Sequence, residues 1–520
     1  MAAGRVGEGR WGAVAVAILA GALLSFKLDE PAWFDNEGRF AEMAREMLVR
    51  HDWVTPHVNG VPLLTKPPLT QWLAALVFFV TGPSEWARLV PIVAAVLTIV
   101  LTVTAAIFFW HVAETGVPER RTAWLVAMYA AMGTGMLAKG FVTPVLAGIP
   151  IGAAMVRTHG AAGIRRLRPL LGLLVIGVVV LPWHFAAALA NPGFAWDYVV
   201  NQHLLFAFDK KEPRDSDGDT LAFFWQAFAT RAWPWVTLLP AAPAATASTG
   251  LPAVVLWAWL GGVLGLFSLT PSRLEHYSLP ALPAVALLGA RVWQRAHEDG
   301  VGAGFRAALL VLAAALVAGG VVGIARGRSL AAGAYWLPQA PGLMALIVPA
   351  ALCVGGAGLL LGAAALRRSA TGIVAAAAVG TVPLLAILVH ALIEAEALFS
   401  WHPVAHALAR VPATTEVVFQ APVEYQIVGA LDFYLGRSVT MLEPPGGYTP
   451  PTYLRGRTQG MFISRDELDR RWQSGRPVAI VSDPQQRRDT PDGLVPAPFH
   501  VLDRFGDRWV LTNFPVASAH

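Results

Sequence analysis

The residues of this chain best able to do chemistry crowd into one stretch. Within residues 27 to 82 stand the carboxylates Asp29, Glu30, Asp35, Glu37, Glu42, Glu46 and Asp52, the cations Arg39, Arg45 and Lys66, and the tryptophans Trp33, Trp53 and Trp72. Long apolar stretches flank the segment on both sides. Charges this close to a bilayer are costly unless they are paired, wetted or used on a substrate, so the segment reads as a functional site at a membrane surface. Two later loops share its character. Residues 191 to 225 carry Asp197, Asn201, Gln202, His203, Asp209, Lys210, Lys211 and Arg214 among aromatic side chains, and TPSRLEHY at 270 to 277 adds Arg273, Glu275, His276 and Tyr277. Such a set suits a lipid-linked phosphate: cations hold phosphate oxygens, a carboxylate deprotonates an incoming hydroxyl, and aromatics stack on sugar faces and a prenyl chain.

Each of these residues also has a plainer use. Asp35 and Glu37 can cap a surface helix at its N-terminus. Lys66 can snorkel toward headgroups, and for Lys139, alone between two apolar stretches, a helix-end anchor is the more economical role. His203 can serve as a hydrogen-bonded loop histidine, and Glu275, His276 and Tyr277 as an interfacial pair with a belt residue.

The elements that must position these residues are membrane helices. With 55% hydrophobic residues, 14% charged residues and a mean hydropathy of +0.53 over 520 residues, the chain reads as a polytopic membrane protein. The net charge of +5 requires no nucleic-acid partner, because the arginines fall mainly in short loops between spans. The single cysteine, Cys353, lies in an apolar run and excludes an intrachain disulfide. Apolar runs of spanning length occur at 12–26, 86–110, 122–138, 140–156, 170–190, 226–246, 252–270, 277–293, 305–324, 342–364 and 371–393, about 11 spans in all. The first reads as a retained anchor rather than a signal peptide. If Arg5 and Arg10 lie in the cytoplasm, this count places Arg120, Arg121, Arg157, Arg165, Arg166, Arg168, Arg291, Arg295, Arg367 and Arg368 there too. Residues 27–85, Lys139, 191–225, 271–276 and everything after about 394 then lie outside; Arg326 and Arg328 break the pattern.

That count requires residues 68–82 to be a helix along the surface, since about 13 apolar positions are too few to cross. A second surface helix is expected at 37–49, with Phe40, Met43, Ala44, Met47 and Leu48 on one face and Glu42, Arg45 and Glu46 on another. The fold class is therefore an all-α polytopic domain over residues 1–394 followed by a small α/β domain over 395–520, where short apolar runs such as EVVFQ and PVAIVSD alternate with helix-like and turn-rich stretches. That tail carries no nucleophile elbow, zinc spacing or phosphate loop, and accessory packing or acceptor recognition is its expected use.

An acidic motif after the first span, an REML helix, DWVTPHVNGVP, a KPP and a surface helix follow one another in an order that resembles the bacterial polyprenyl-phosphate-dependent glycosyltransferases. These include the aminoarabinose transferases that modify lipid A and, more distantly, the protein O-mannosyltransferases. AKGFVTP at 138–144, LPWHFA at 181–186, NQHLLFAFD at 201–209, PWVTLLP at 234–240, SRLEHYSLPALPA at 272–284 and DFYLGR at 432–437 extend the likeness. The resemblance implies a GT-C fold in the bacterial inner membrane, with the N-terminus cytoplasmic and the C-terminal domain periplasmic. It implies transfer of a sugar from a polyprenyl-phosphate donor to a lipid, glycan or protein acceptor at the periplasmic face. It makes Asp35 and Glu37 the catalytic carboxylates and Lys66 a phosphate contact, with Arg39, His203, Arg214, Arg273, Glu275 and Tyr277 around the substrates. It names no certain cofactor and leaves a divalent metal open.

The departures from the family are specific. Asn36 stands where an aspartate is usual, and an amide cannot take a proton. Thr65 replaces the acidic residue expected before the lysine-proline pair. Phe206 occupies the loop that should carry an arginine, leaving Arg214, Lys210 or Lys211 as substitutes. Between Arg121 and Lys139 two spans and a second external aspartate are missing. A catalytically impaired relative that binds lipid-linked sugars, or a flippase for them, is therefore the alternative expectation; the second is disfavoured because the ionisable residues sit in loops rather than at the membrane midplane.

Overall fold

The computed structural model describes residues 35–83, 89–206, 208, 210–212, 218–233, 235–271, 273–332, 340–420, 425–444, 450–454, 456–458, 460–482 and 490–516. The span expected at 12–26 lies outside them. The chain first forms α1 (Asp35–Arg50), a two-stranded hairpin of β1 (His57–Val58) and β2 (Val61–Pro62), and α2 (Leu69–Thr81). The hairpin register pairs Val58 with Val61 around Asn59-Gly60, both at positive φ, as a two-residue turn of this type demands. The 13-residue α2 reaches only about 20 Å, short of the roughly 30 Å of a bilayer core. It packs Ala74, Ala75 and Phe78 inward and exposes Leu76, Phe79 and Val80.

The helical body comprises α3 (Leu89–Thr115), α4 (Arg121–Lys139), α5 (Val142–His159), α6 (Pro169–Ala190), α7 (Leu221–Arg231), α8 (Leu251–Leu269), α9 (Leu282–Glu298), α10 (Ala303–Ala331), α11 (Pro341–Leu366) and α12 (Ala370–Phe399). Among the described residues six helices are long and apolar enough to cross a membrane: the 98–115 part of α3, then α6, α8, α10, α11 and α12. On α6, Leu170, Leu174, Val178, Leu181, Phe185 and Leu189 recur at helical spacing and are all exposed, the mark of a face that meets lipid.

Two expected spans are corrected. Residues 226–246 break into the end of α7, a tight turn at Trp235–Ala241 and a short helix at Ala242–Thr246, where Pro240 and Pro243 withhold backbone donors. The span expected from 277 begins as a tight turn at Glu275–Ala281, since Pro280 and Pro283 leave a regular helix only from Leu282. On α1, Glu42 and Glu46, placed by the sequence on the face opposite the apolar one, are 0% and 3% exposed, because the C-terminal domain covers that face.

After α13 (His402–Leu408) come β3 (Glu416–Gln420), α14 (Gly429–Leu435), β4 (Thr440–Leu442), β5 (Phe462–Ile463), α15 (Arg465–Gln473), β6 (Val478–Val481), β7 (His500–Phe505) and β8 (Arg508–Thr512). The sheet order is β5-β4-β3-β6-β8-β7, parallel from β5 to β6 and antiparallel beyond. This domain shares a core with the rest of the chain. Val58, Leu64, Trp183, Tyr198, Trp401, Phe419 and Met441 belong to one buried cluster. Asn59 donates to the Val439 carbonyl at 3.0 Å and accepts from the Val439 amide at 2.9 Å, so the hairpin tip is fastened to the strand leading into β4.

Candidate active site

One cavity of about 440 Å³ lies where these parts meet. α1 contributes Arg39, and the chain leaving β2 contributes Thr65, Lys66 and Pro67. That approach is held by Asp52, whose Oδ1 accepts the Val54 and Thr55 amides at 3.0 and 2.9 Å. Lys139 enters from the last position of α4, which Gly140 terminates at φ +75°. The end of α8 supplies Leu266 and Phe267, and the turn after it supplies His276, Tyr277 and Pro280. A π-helical turn over Asp197–Leu205 brings Tyr198, Gln202 and His203, followed by Phe206 and Lys211. Gln426, from the C-terminal domain, completes the wall.

The described lining thus joins four cations, two imidazoles and several aromatic rings. Lys66 Nζ stands 5.6 Å from the Phe40 ring centre and Lys139 Nζ 5.6 Å from that of Tyr277, both within cation–π range. Burial lowers Lys139 to about 8, with the nearby Lys66 side chain opposing the shift and Arg39 adding to it. The histidines are held neutral. His203 Nδ1 faces the Tyr198 carbonyl and carries the proton it donates there, which leaves Nε2 as the acceptor, and burial lowers the ring's affinity for a second proton. Burial, then Lys139, Lys66 and Arg231, push His276 down to about 3.

The far end of the bundle is built differently. There Glu114 receives Arg121 and Arg166, Arg121 also donates to the Arg166 carbonyl, and Arg168 donates to Thr122 at 2.8 Å. Cations at that end serve the connectors; those at the cavity end face a space fit for a ligand.

The chain was compared with known proteins on sequence and on structure. No protein-family model matches it. It is 26% identical over 306 residues to the undecaprenyl phosphate-α-4-amino-4-deoxy-L-arabinose arabinosyl transferase of Pseudomonas aeruginosa, a match covering 49% of this chain and 54% of that one. It is 28% identical over 310 residues to a transferase of the same name from Sodalis glossinidius, with the same coverage. In these matches the chain spans about half the length of the curated relatives. Structural likeness extends further: the crystal structure of ArnT from Cupriavidus metallidurans bound to undecaprenyl phosphate superposes with a TM-score of 0.76 at 21% identity, covering 97% of this chain and 98% of that one. The apo form of the same protein gives 0.76 at 22% identity. The fold is that of ArnT. It is the GT-C arrangement expected from the sequence, with the C-terminal sheet domain included.

Of the residues singled out in the sequence, Arg39, Lys66, His203 and Tyr277 share the cavity. Arg273 and Glu275 do not line it. Arg273 donates to the Asp219 and Ser268 carbonyls at 3.0 and 3.3 Å, and Glu275 accepts from Arg231 at 3.0 Å, so both brace the turn that presents His276 and Tyr277. The side chains of Asp35 and Glu37, and all of Arg214, lie outside the described residues; the backbone of Asp35 to Glu37 forms the first turn of α1. Lys139 is corrected from a helix-end anchor to a lining residue. Of the substitutes for the missing arginine, Lys211 lines the cavity and Lys210 is exposed. Gln426 was not legible, because its contact with the cavity depends on the docking of a domain more than 350 residues downstream of Lys66. Among the described residues no three of His, Cys, Asp and Glu stand close enough to hold a metal ion.

Proposed function

We propose that this chain transfers a sugar from a polyprenyl-phosphate carrier to a hydroxyl or amine of a lipid, glycan or protein acceptor. The observation that carries the reading is the convergence of Arg39, Lys66, Lys139 and Lys211 on one cavity at the end of the helical body where α4 and α8 terminate. The names of the relatives, and the undecaprenyl phosphate in the neighbouring crystal structure, support a lipid-phosphate donor. In the reaction the bond from the anomeric carbon to the carrier phosphate breaks as the bond from the acceptor atom forms. The phosphate leaves with an additional negative charge, and the cations stabilise it more strongly as that charge develops. The acceptor proton passes to a carboxylate of the α1 N-terminal turn, Asp35 or Glu37, whose backbone lies about one turn or less before Arg39 on the same helix. The neutral Nε2 of His203 orients the acceptor by accepting a hydrogen bond.

The same reading places the cavity on the periplasmic face of a bacterial inner membrane, with the N-terminus cytoplasmic and the C-terminal domain periplasmic. The arginine-bearing connectors at the opposite end support that orientation. The test is turnover and binding with undecaprenyl-phosphate sugars in nanodiscs. Lys66→Ala should weaken donor use by about 10- to 100-fold, the worth of one charge-assisted contact of about 1.5–3 kcal/mol. Donor binding without turnover identifies the impaired relative instead. A wild-type chain that binds no polyprenyl phosphate, or a Lys66→Ala variant equal to wild type, overturns the proposal.

A further inference from the structure

α1 and the C-terminal domain meet through buried acids. On α1, Arg45 donates through both Nε and Nη2 to Glu42 at 2.6 Å, and Arg50 and the Gly60 amide donate to Glu46 at 2.6 and 3.0 Å. Asp432 of α14 is fully buried against them, and neither of its carboxyl oxygens has a hydrogen-bond partner. An ionised carboxylate there would lose its water, gain no hydrogen bond and face two neighbouring carboxylates. The N-terminus of the seven-residue α14 offsets only a small part of that cost. A protonated carboxyl removes the charge and keeps the packing. Burial, then Glu42 and Glu46, raise Asp432 well above the ordinary carboxylate range, with Arg45 opposing. Burial likewise pushes Glu42 up to about 7, but its two bonds to Arg45 pull the other way, so the proton rests on Asp432.

The segment bearing Asp432 also reaches the cavity. The turn Tyr425–Val428 places Gln426 in the cavity wall, and at Gly429 an added Cβ would stand 3.2 Å from the Arg39 Cα. The position of α14 on α1 therefore fixes the backbone from which Arg39 enters the site. We propose that Asp432 is a positioning residue for sugar transfer: as a neutral carboxylic acid it seats residues 425–435 on α1, and its ionisation lifts that segment from Arg39. Among the described residues the remaining charged or titratable groups on elements packed here are Arg39 on α1, His57 on β1, Tyr434 on α14, and His402 and His406 on α13. His402 pairs with Glu396 at 2.8 Å and His406 is exposed; α2, which packs Phe78 against Phe433, has none. The sign follows from a raised acid: the seat is full at low pH and is lost as pH rises through the folded-state value.

Only the effect on turnover rests on the transferase reading, so two readouts separate the ideas. Hydrogen exchange of the α1 amides is followed from neutral to alkaline pH in wild type and in Asp432→Asn, whose amide reproduces the shape of the neutral acid. Wild-type protection should fall by about tenfold or more across the range while D432N stays flat, and at neutral pH the two should agree within about twofold. The part of the alkaline limb that follows α1 exchange should disappear in D432N, while the part set by Lys139, which burial lowers to about 8, should remain. Equal pH dependence of exchange in the two proteins refutes the proposal, as does a D432N chain that fails to fold. Infrared difference spectra of wild type against D432N must also show the carbonyl stretch of a protonated carboxyl at neutral pH, and its absence refutes the proposal independently. Exchange that behaves as expected in a protein that never turns over would retain the seat and remove the transferase reading.

Discussion

Gly140→Ala tests the geometry of the cavity wall. Gly140 ends α4 directly after Lys139 at φ +75° and ψ −156°, a conformation essentially confined to glycine, where an alanine costs about 1–3 kcal/mol in backbone strain alone. Its Cβ would also stand 2.8 Å from His203 Nε2 and 3.0 Å from Tyr198 Oη. Neither ring can easily retreat. The His203 ring is fixed by its bond to the Tyr198 carbonyl and by edge contacts with Phe141 and Tyr198 at 4.9 and 4.7 Å between ring centres. Overpacking of this kind adds about 1–3 kcal/mol, for a total of about 2–6. Gly82→Ala supplies the control, since Gly82 ends α2 at φ +73° with nothing within 4 Å and should show the backbone cost alone. The assay is thermal melting followed by tryptophan fluorescence, together with turnover of an undecaprenyl-phosphate sugar. G140A should melt below G82A and lose at least about tenfold in turnover, which about 1.4 kcal/mol on the barrier would produce. A G140A protein that matches G82A in both measurements would show that His203 and Tyr198 do not stand against Gly140, and the described wall would be wrong.

Neutral His276 contributes stability above the ordinary histidine range near about 6.5, and that contribution is lost as pH falls toward its folded value of about 3. His276→Gln should therefore flatten the melting temperature against pH across that window, and an unchanged acid slope would place the loss elsewhere. Asn59→Ala removes both buried bonds to Val439 at a residue with φ 53°, so it should cost about 1–3 kcal/mol in melting and loosen the hairpin from the C-terminal sheet, read by proteolysis between β2 and β4. Glu275→Gln breaks a pair whose side chains are 34% and 32% exposed, worth at most about 1 kcal/mol after solvent screening, and should leave turnover within about twofold. A loss of an order of magnitude would return Glu275 to the cavity.

Helical periodicity made α1 legible almost to its ends, and length alone identified α2 as too short to cross, because both signals are local. The gathering of Arg39, Lys66, His203 and Tyr277 was legible from topology, since loops assigned to one side of a membrane have little room to stay apart. Proline-broken turns at 235–241 and 275–281 escaped a hydropathy reading, which registers apolar content and is blind to a missing backbone donor. Lys139 escaped for a different reason. A lysine at a helix end looks the same in sequence whether it meets headgroups or a Tyr277 ring brought in by another loop.

Asp432 carries the sharper lesson about sequence signals. GALDFYLG places one acid among apolar residues, and α14 buries Gly429 through Asp432 together. An acid inside such a run must be paired, protonated or exposed, and the sequence alone cannot choose among the three because the answer depends on what covers the helix. The cover is α1, which itself presents Glu42 and Glu46 toward that side. Three buried carboxyl groups therefore share two guanidinium groups, Arg45, which is mostly buried, and Arg50, whose side chain is 41% exposed. Charge balance in that space demands a proton, and the only one of the three acids without a cation bonded to it is Asp432. The helix that bears Arg39 thus rests on a surface whose neutrality depends on pH, and within the site Lys139, which burial lowers to about 8, titrates as well. A loss of activity at alkaline pH would accordingly have one source beneath the site and one within it, and Asp432→Asn removes only the first.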